Sequence, residues 1–109
     1  MTSIVSVIIP FFSNLEWLNQ ALQSVYNQSY KNYEVLVIND GSLVDDTLFL
    51  DRHGKNIRYF KTKNLGPGHA RNLGIDLSVG EFIAFLDSDD LWHPQKLELQ
   101  LSYMLKNNL

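Results

Sequence analysis

EFIAFLDSDDLWHP, residues 81–94, is the stretch whose reading decides the fold. It opens with an apolar run, Phe82-Ile83-Ala84-Phe85-Leu86, and then places Asp87, Asp89 and Asp90 within four residues. A short continuous apolar run bounded by polar punctuation reads as a strand buried on both faces, the signature of a parallel sheet. The acids then stand at the carboxyl end of that strand, where open parallel α/β sheets bind ligands. Crowded carboxylates repel one another, and a hard divalent cation relieves that repulsion. The plain alternative is a turn followed by a helix cap, since Asp favours both.

Working outward, the same strand-then-helix unit recurs. IVSVII at 4–9 is rich in β-branched residues and stops at Pro10, as a first strand should. Ser13-Asn14 can cap a helix in which Leu15, Leu18, Leu22 and Val25 recur at helical spacing. That helix fades in the polar stretch 27–32. YEVLVI at 33–38 is a second strand, ending in the turn sequence Asn39-Asp40-Gly41-Ser42. Asp45 and Asp46 open a short helix running to about Arg52, with His53 at its solvent-facing end. IRYFK at 57–61 is a third strand, and 64–68 a glycine and proline loop. A third helix spans about 69–77. After the strand at 81–86, Pro94 suits the first turn of a last helix carrying Leu97, Leu101, Met104 and Leu105.

The pattern β-α-β-α-β-α-β-α predicts an α/β fold: a Rossmann-like parallel sheet with right-handed crossovers and helices on both faces. An order of 3-2-1-4 would gather the tips of strands 1, 2 and 4 around one crevice. Residues 10–12, Asp40 and the acids of 87–90 would line it together.

The bulk composition agrees. At 109 residues, 45% hydrophobic and 19% charged, the chain suits one soluble domain. A net charge of −3 argues against nucleic acid as a partner. Lys55, Arg58, Lys61 and Lys63 read as a solvated edge strand and loop. The absence of cysteine excludes disulfides and thiolate zinc sites and permits a reducing compartment. The longest apolar run is too short to span a bilayer, and the N-terminus lacks the positive region of a signal peptide. The expected setting is cytoplasmic, extending to the inner face of a membrane.

The common phosphate grips are missing. There is no G-x-x-x-x-G-K-[ST] loop. Gly66-Pro67-Gly68-His69-Ala70-Arg71 begins like a dinucleotide fingerprint, but it has Arg71 at the third glycine and follows the third strand. A nucleotide can instead be held through a metal, with Asp89 as ligand to a cation that bridges diphosphate oxygens. Asp40 can accept a hydrogen bond from a base imide or a ribose hydroxyl. Arg71, early in a helix after a glycine loop, can reach the diphosphate or the base. Its plainer reading is a surface ion pair with a nearby Asp.

Four segments carry a resemblance to the N-terminal half of a family 2 glycosyltransferase of the GT-A fold. They are VSVIIPFF at 5–12, SVYNQSYKNYEVLVINDGS at 24–42, NLGPGHARNLGI at 64–75 and GEFIAFLDSDDLWHPQKL at 80–97. Each alone is weak; four in order over nearly the whole chain are specific. The resemblance implies that residues 1–109 are one domain, the truncated donor-binding part of a GT-A catalytic domain. It implies inverting transfer from a nucleotide-sugar donor, a UDP-sugar above all, with Mn²⁺ or Mg²⁺, to a saccharide or lipid-linked acceptor. Asp87-Ser88-Asp89 would be the D-x-D element, with Asp87 beside the ribose or sugar and Asp89 on the metal. Pro10 and Phe12 would form part of the base pocket, Asp40 would hold the base, and Arg71 would sit near the nucleotide.

There are departures. Phe12-Ser13 stands where the family often has Tyr-Asn, and Asn39 replaces a common Asp. The second change is expected to cost little, since Asn39 only neighbours the base-binding residue. No residue in 91–109 looks like the family's general base, which is expected beyond Leu109; His93 reads as structural. The competing expectation is a non-catalytic nucleotide- or metal-binding module of the same fold. Strand 4, apolar and at the edge in the 3-2-1-4 order, is expected to promote self-association.

Overall fold

A computed structural model describes residues 3–107. The elements run β1 (Val5–Phe11), α1 (Leu15–Tyr26), β2 (Tyr33–Asp40), α2 (Thr47–His53), β3 (Arg58–Thr62), α3 (Pro67–Leu77), β4 (Phe82–Phe85) and α4 (Lys96–Lys106). The strands form one parallel sheet, as the alternating pattern predicts, and their order is β3-β2-β1-β4.

Strand alternation sorts the core into two layers. Val5, Val7, Ile9 and Phe11 of β1, with Val35 and Val37 of β2, face α1, α2 and α4. There they meet Leu18, Ala21, Leu22 and Val25 of α1, Phe49 of α2, and Leu97 and Leu101 of α4. Ile8, Leu36 and Ile38 face the other way and pack on Ala70, Leu73 and Leu77 of α3. Each fully buried Leu, Ile or Val contributes about 1.5–3 kcal/mol by leaving water.

β1 continues through Pro10 instead of stopping there. The Ile8 carbonyl accepts from the Leu86 amide, so even-numbered residues of β1 turn their amide groups toward β4. The β1–β4 pairing ends at Ile8↔Phe85. Pro10 lies past that point, so its missing N–H removes no ladder bond.

β4 corrects the expectation of a strand buried on both faces. Phe82 and Ala84 pack into the main core, but Ile83 and Phe85 are 40% and 42% exposed. The physical reason is coverage: α3, the helix on that face, packs against β1 and β2. β4 is paired only with β1.

His53 is the second correction. It is 2% exposed, not solvent-facing. Its Nδ1 meets the Tyr26 hydroxyl at 3.1 Å and its Nε2 meets Asn19 Oδ1 at 2.8 Å. Phe49 lies one turn earlier with ring centroids 4.9 Å apart, so α2 docks on α1 through this i, i+4 pair. Burial, with Arg52 adding to it, holds the His53 imidazole below the usual histidine range.

Helix ends shift by a few residues. α3 begins at Pro67, two residues before the expected start, with proline in the first turn. Pro94 lies ahead of α4, and its carbonyl accepts from Ser29 N. At the end of the sheet opposite the strand tips, Glu34 accepts from Ser6 Oγ, Val79 N and Arg58. That carboxylate ties three strands to the segment entering β4.

Candidate nucleotide-binding site

The carboxyl tips of β1, β2 and β4 converge on a cavity of about 600 Å³. β1 and the turn after it supply Pro10, Phe11, Phe12, Ser13 and Asn14, and α1 adds Trp17. β2 supplies Asp40; the β3–α3 segment supplies Asn64, Gly66, Pro67 and Arg71; the segment after β4 supplies Asp87, Ser88 and Asp89. Every candidate residue from the sequence, Pro10, Phe12, Asp40, Arg71, Asp87 and Asp89, is therefore on one wall or another of the same cavity. The opening turns of α1 and α3 both reach it, and two helix N-termini favour an anion.

The walls differ in character. Phe12 and Trp17 are each 52% exposed, an aromatic side open to a flat ligand. Asp40 is only 5% exposed. Its Oδ1 accepts from Thr62 Oγ1 at 2.6 Å and Leu65 N at 2.8 Å, and its Oδ2 from Gly66 N at 2.9 Å. Burial pushes this carboxyl up, but the three donors and nearby His69 outweigh it and hold it below the usual range. Across the cavity Asp87 Oδ1 accepts from Arg71 at 3.2 Å. The plain reading of Arg71 as an ion-pair partner is thus realised inside the cavity, where the same guanidinium faces an incoming anion. Both partners are partly exposed, so the pair itself adds little stability.

Asp90 caps its own turn: its Oδ1 accepts from Leu91 N and its amide donates to the Asp87 carbonyl. Asp89 makes no hydrogen bond or ion pair with the described residues and is exposed. No cluster of three or more His, Cys, Asp or Glu suited to a metal exists among the described residues. The donor set present is a pair of exposed carboxylates beside an anion-favouring cavity. It fits a hard cation that takes few protein ligands and completes its shell with water and phosphate oxygens.

Sequence reasoning missed several supporting residues. Asn39, 2% exposed, donates from Nδ2 to the Tyr59 hydroxyl and accepts from Ser42 N. Tyr59 in turn donates to Asp46, which also pairs with Lys61 at 3.1 Å. Burial, then the bond to Asp46, pushes the Tyr59 phenol up to about 12. Gln28, in the stretch read only as a fading helix, is fully buried. It donates to the Ser24 and His93 carbonyls and accepts from Leu97 N, fixing the chain between the acids and α4. His93, exposed, accepts from Gln95 N, the structural role expected of it. A signal for Trp17 was present: it is a large aromatic off the Leu18–Leu22–Val25 stripe.

Known proteins share this arrangement. The family model for glycosyl transferase family 2 matches residues 6–109. An uncharacterized glycosyltransferase of Rickettsia bellii is 53% identical over 106 residues, covering 95% of this chain and 15% of the relative. The UDP-Glc:alpha-D-GlcNAc-diphosphoundecaprenol beta-1,3-glucosyltransferase of Escherichia coli is 40% identical over 109 residues, covering 97% of this chain and 43% of the relative. The crystal structure of Staphylococcus aureus TarS 1–349 in complex with UDP-GlcNAc superimposes with a TM-score of 0.81 at 27% identity, covering 94% of this chain and 31% of that one. The chain thus spans less than half the length of these relatives, and its sheet matches the GT-A fold. With a family match over nearly its whole length and the strand tips gathered as that fold requires, the chain belongs to glycosyl transferase family 2.

Proposed function

We propose that the cavity binds the nucleoside diphosphate of a sugar donor, a UDP-sugar, for inverting transfer to a saccharide or lipid-linked acceptor. The observation that carries this reading is the meeting of Asp40, Arg71, Asp87 and Asp89 from separate elements in one cavity beside the aromatic Phe12 and Trp17. The solved relative holding UDP-GlcNAc and the relative named for UDP-Glc support a uridine donor. The diphosphoundecaprenol in the second name supports a lipid-linked acceptor, and the proposed setting is the cytoplasmic face of a membrane. Among the described residues no helix is long and apolar enough to cross one.

Phe12 and Pro10 face the base, and Asp40 offers its remaining acceptor position to a base or ribose donor. Arg71 contacts the diphosphate, exchanging part of its pairing with Asp87 for the phosphate. Asp87 is then released toward the ribose or sugar. Asp89 would hold Mn²⁺ or Mg²⁺. When bound, that ion neutralises charge on the departing diphosphate. Each carboxylate on the cavity has a task in this scheme, so none is left to take the acceptor's proton. The chain alone is therefore expected to bind donor without transferring sugar.

Isothermal titration with UDP, with and without Mn²⁺, tests this reading. A Kd of about 0.1–1 mM that weakens without the metal is expected, the scale of a partly enclosed ligand. Absence of binding under both conditions would favour a purely structural domain. The half-exposed Ile83 and Phe85 beside the free edge of β4 also support self-association through that edge. A strictly monomeric sedimentation profile at high concentration would count against it.

A further inference from the structure

We infer that the tip of β2 is a latch on the segment joining β3 to α3, with Asp40 as its positioning residue. This rests on reading the cavity as a nucleotide site, since the latched segment forms one of its walls. The carboxylate spends three of its roughly four acceptor positions on Thr62 Oγ1, Leu65 N and Gly66 N. The residue after it completes the fit. Gly41 lies so close to the segment that a Cβ there would stand 2.6 Å from Asn64 Cβ and from Asn64 N.

The latched segment holds a conformation it would not choose alone. Asn64 has φ 53°, a left-handed backbone for a residue with a side chain, and Gly66 has φ 99°. Such geometry persists when surrounding bonds over-determine it. Gly66 leads directly into Pro67 and α3, and Arg71 follows one turn later. The latch therefore sets where Asn64, Gly66 and Arg71 stand on the cavity. Most of the contribution of Asp40 to ligand binding passes through this wall, because only one acceptor position remains for the ligand itself.

Hydrogen exchange of the ligand-free 109-residue chain, read at the Leu65 and Gly66 amides, tests the latch. Asp40→Asn replaces one acceptor oxygen with a donor and should speed exchange there by about tenfold or more, the scale of one charge-assisted hydrogen bond. Thr62→Val should speed it several-fold, with core amides of β1 and β2 unchanged. Thr62 does not line the cavity, yet Thr62→Val should weaken UDP binding several-fold, and Thr62→Ser should restore both readouts. Should Asp40→Asn fail to fold, the Thr62 pair decides alone. Unchanged exchange at Leu65 and Gly66 would overturn the latch, even if Asp40→Asn lost UDP binding, which would make Asp40 a ligand contact only. Faster exchange in chains that bind no nucleotide would uphold the latch and remove the nucleotide reading.

Discussion

The tips of β2 and β4 face each other across one cavity and are built in opposite ways. At the β2 tip, neighbouring side chains alternate across the sheet and both are committed. Asn39 holds the turn at Ser42 and the Tyr59 hydroxyl on one face, and Asp40 holds Leu65 and Gly66 on the other. At the β4 tip the acids are exposed; Asp87 has one partner, Arg71, and Asp89 has none among the described residues. A buried polar group left unbonded costs more than its bond returns, so the β2 side must be completed by the chain itself. An exposed carboxylate carries no such requirement and stays available. On the proposed reading the difference divides the labour: one wall is hydrogen-bonded by the chain itself, and the other would be completed by ligand.

The largest effect expected from breaking this contrast lies at the open tip. Asp89→Ala should remove the Mn²⁺-dependent part of UDP affinity, a loss of more than about tenfold, while leaving thermal stability unchanged. Asp90→Ala should cost much less, because Asp90 only caps its turn. Equal metal-dependent affinity in the Asp89 variant and the parent, measured by titration, would contradict the assignment.

The closed tip should respond in stability instead. Asn39→Asp installs the acid that the family often carries, and sequence reasoning expected little consequence either way. In this structure Asn39 donates to Tyr59 while Tyr59 donates to Asp46. A carboxylate at 39 cannot donate, and two acids would compete for one hydroxyl proton. A destabilisation of about 1–3 kcal/mol in urea unfolding is expected. An unchanged midpoint would show that the Tyr59 network does not hold the tip.

Acid should probe the polar groups that the chain itself completes more gently. The folded pKa of His53 is depressed, chiefly by burial. Its contribution is present above the ordinary histidine range and fades as pH falls through it, near 6.5. The carboxyls of Asp40, Glu34 and Asp46 are also depressed. Burial opposes the shift at Asp40 and Glu34 but is outweighed by hydrogen bonds; at Asp46 the Tyr59 bond leads. Their contributions are present above the ordinary carboxyl range, about 3.9–4.3, and are lost as pH falls through their folded values. Unfolding free energy measured from pH 8 to pH 3 should therefore fall in two steps, the histidine step first. A flat profile down to pH 4 would contradict the buried role of His53.

Patterning explains which parts of this were legible beforehand. The parallel sheet followed from β-α alternation and from four apolar runs ending in polar residues; its strand order did not, and the 3-2-1-4 order that gathers the tips is supplied by the structure. Of the candidate residues that line the cavity, Pro10, Phe12, Asp40, Asp87 and Asp89 stand at strand ends, where such folds bind ligands, while Arg71 was singled out by the glycine loop before it and by the family resemblance. What stayed hidden were polar side chains buried by partners distant in sequence. Gln28 reaches residues 93 and 97, Asn39 reaches Tyr59, and His53 reaches Asn19 and Tyr26. A polar residue looks solvent-bound in one dimension whether or not the fold supplies its bonds. For His53 a clue existed, since it stands four residues after Phe49 on the same helix face. The half-exposed face of β4 was illegible for a related reason. An apolar run shows what a strand tolerates burying, while coverage depends on where α3 lies across the sheet.

The division between a prebuilt and a ligand-completed wall is tested most directly by amide NMR of the ¹⁵N-labelled chain titrated with UDP, first alone and then with Mg²⁺. The account predicts that UDP alone shifts amides of residues 10–17, 39–42, 64–71 and 87, and that residues 89 and 90 move substantially only when Mg²⁺ is added with UDP. Shifts confined to surfaces away from these segments, or movement of 89 and 90 that ignores the metal, would contradict it.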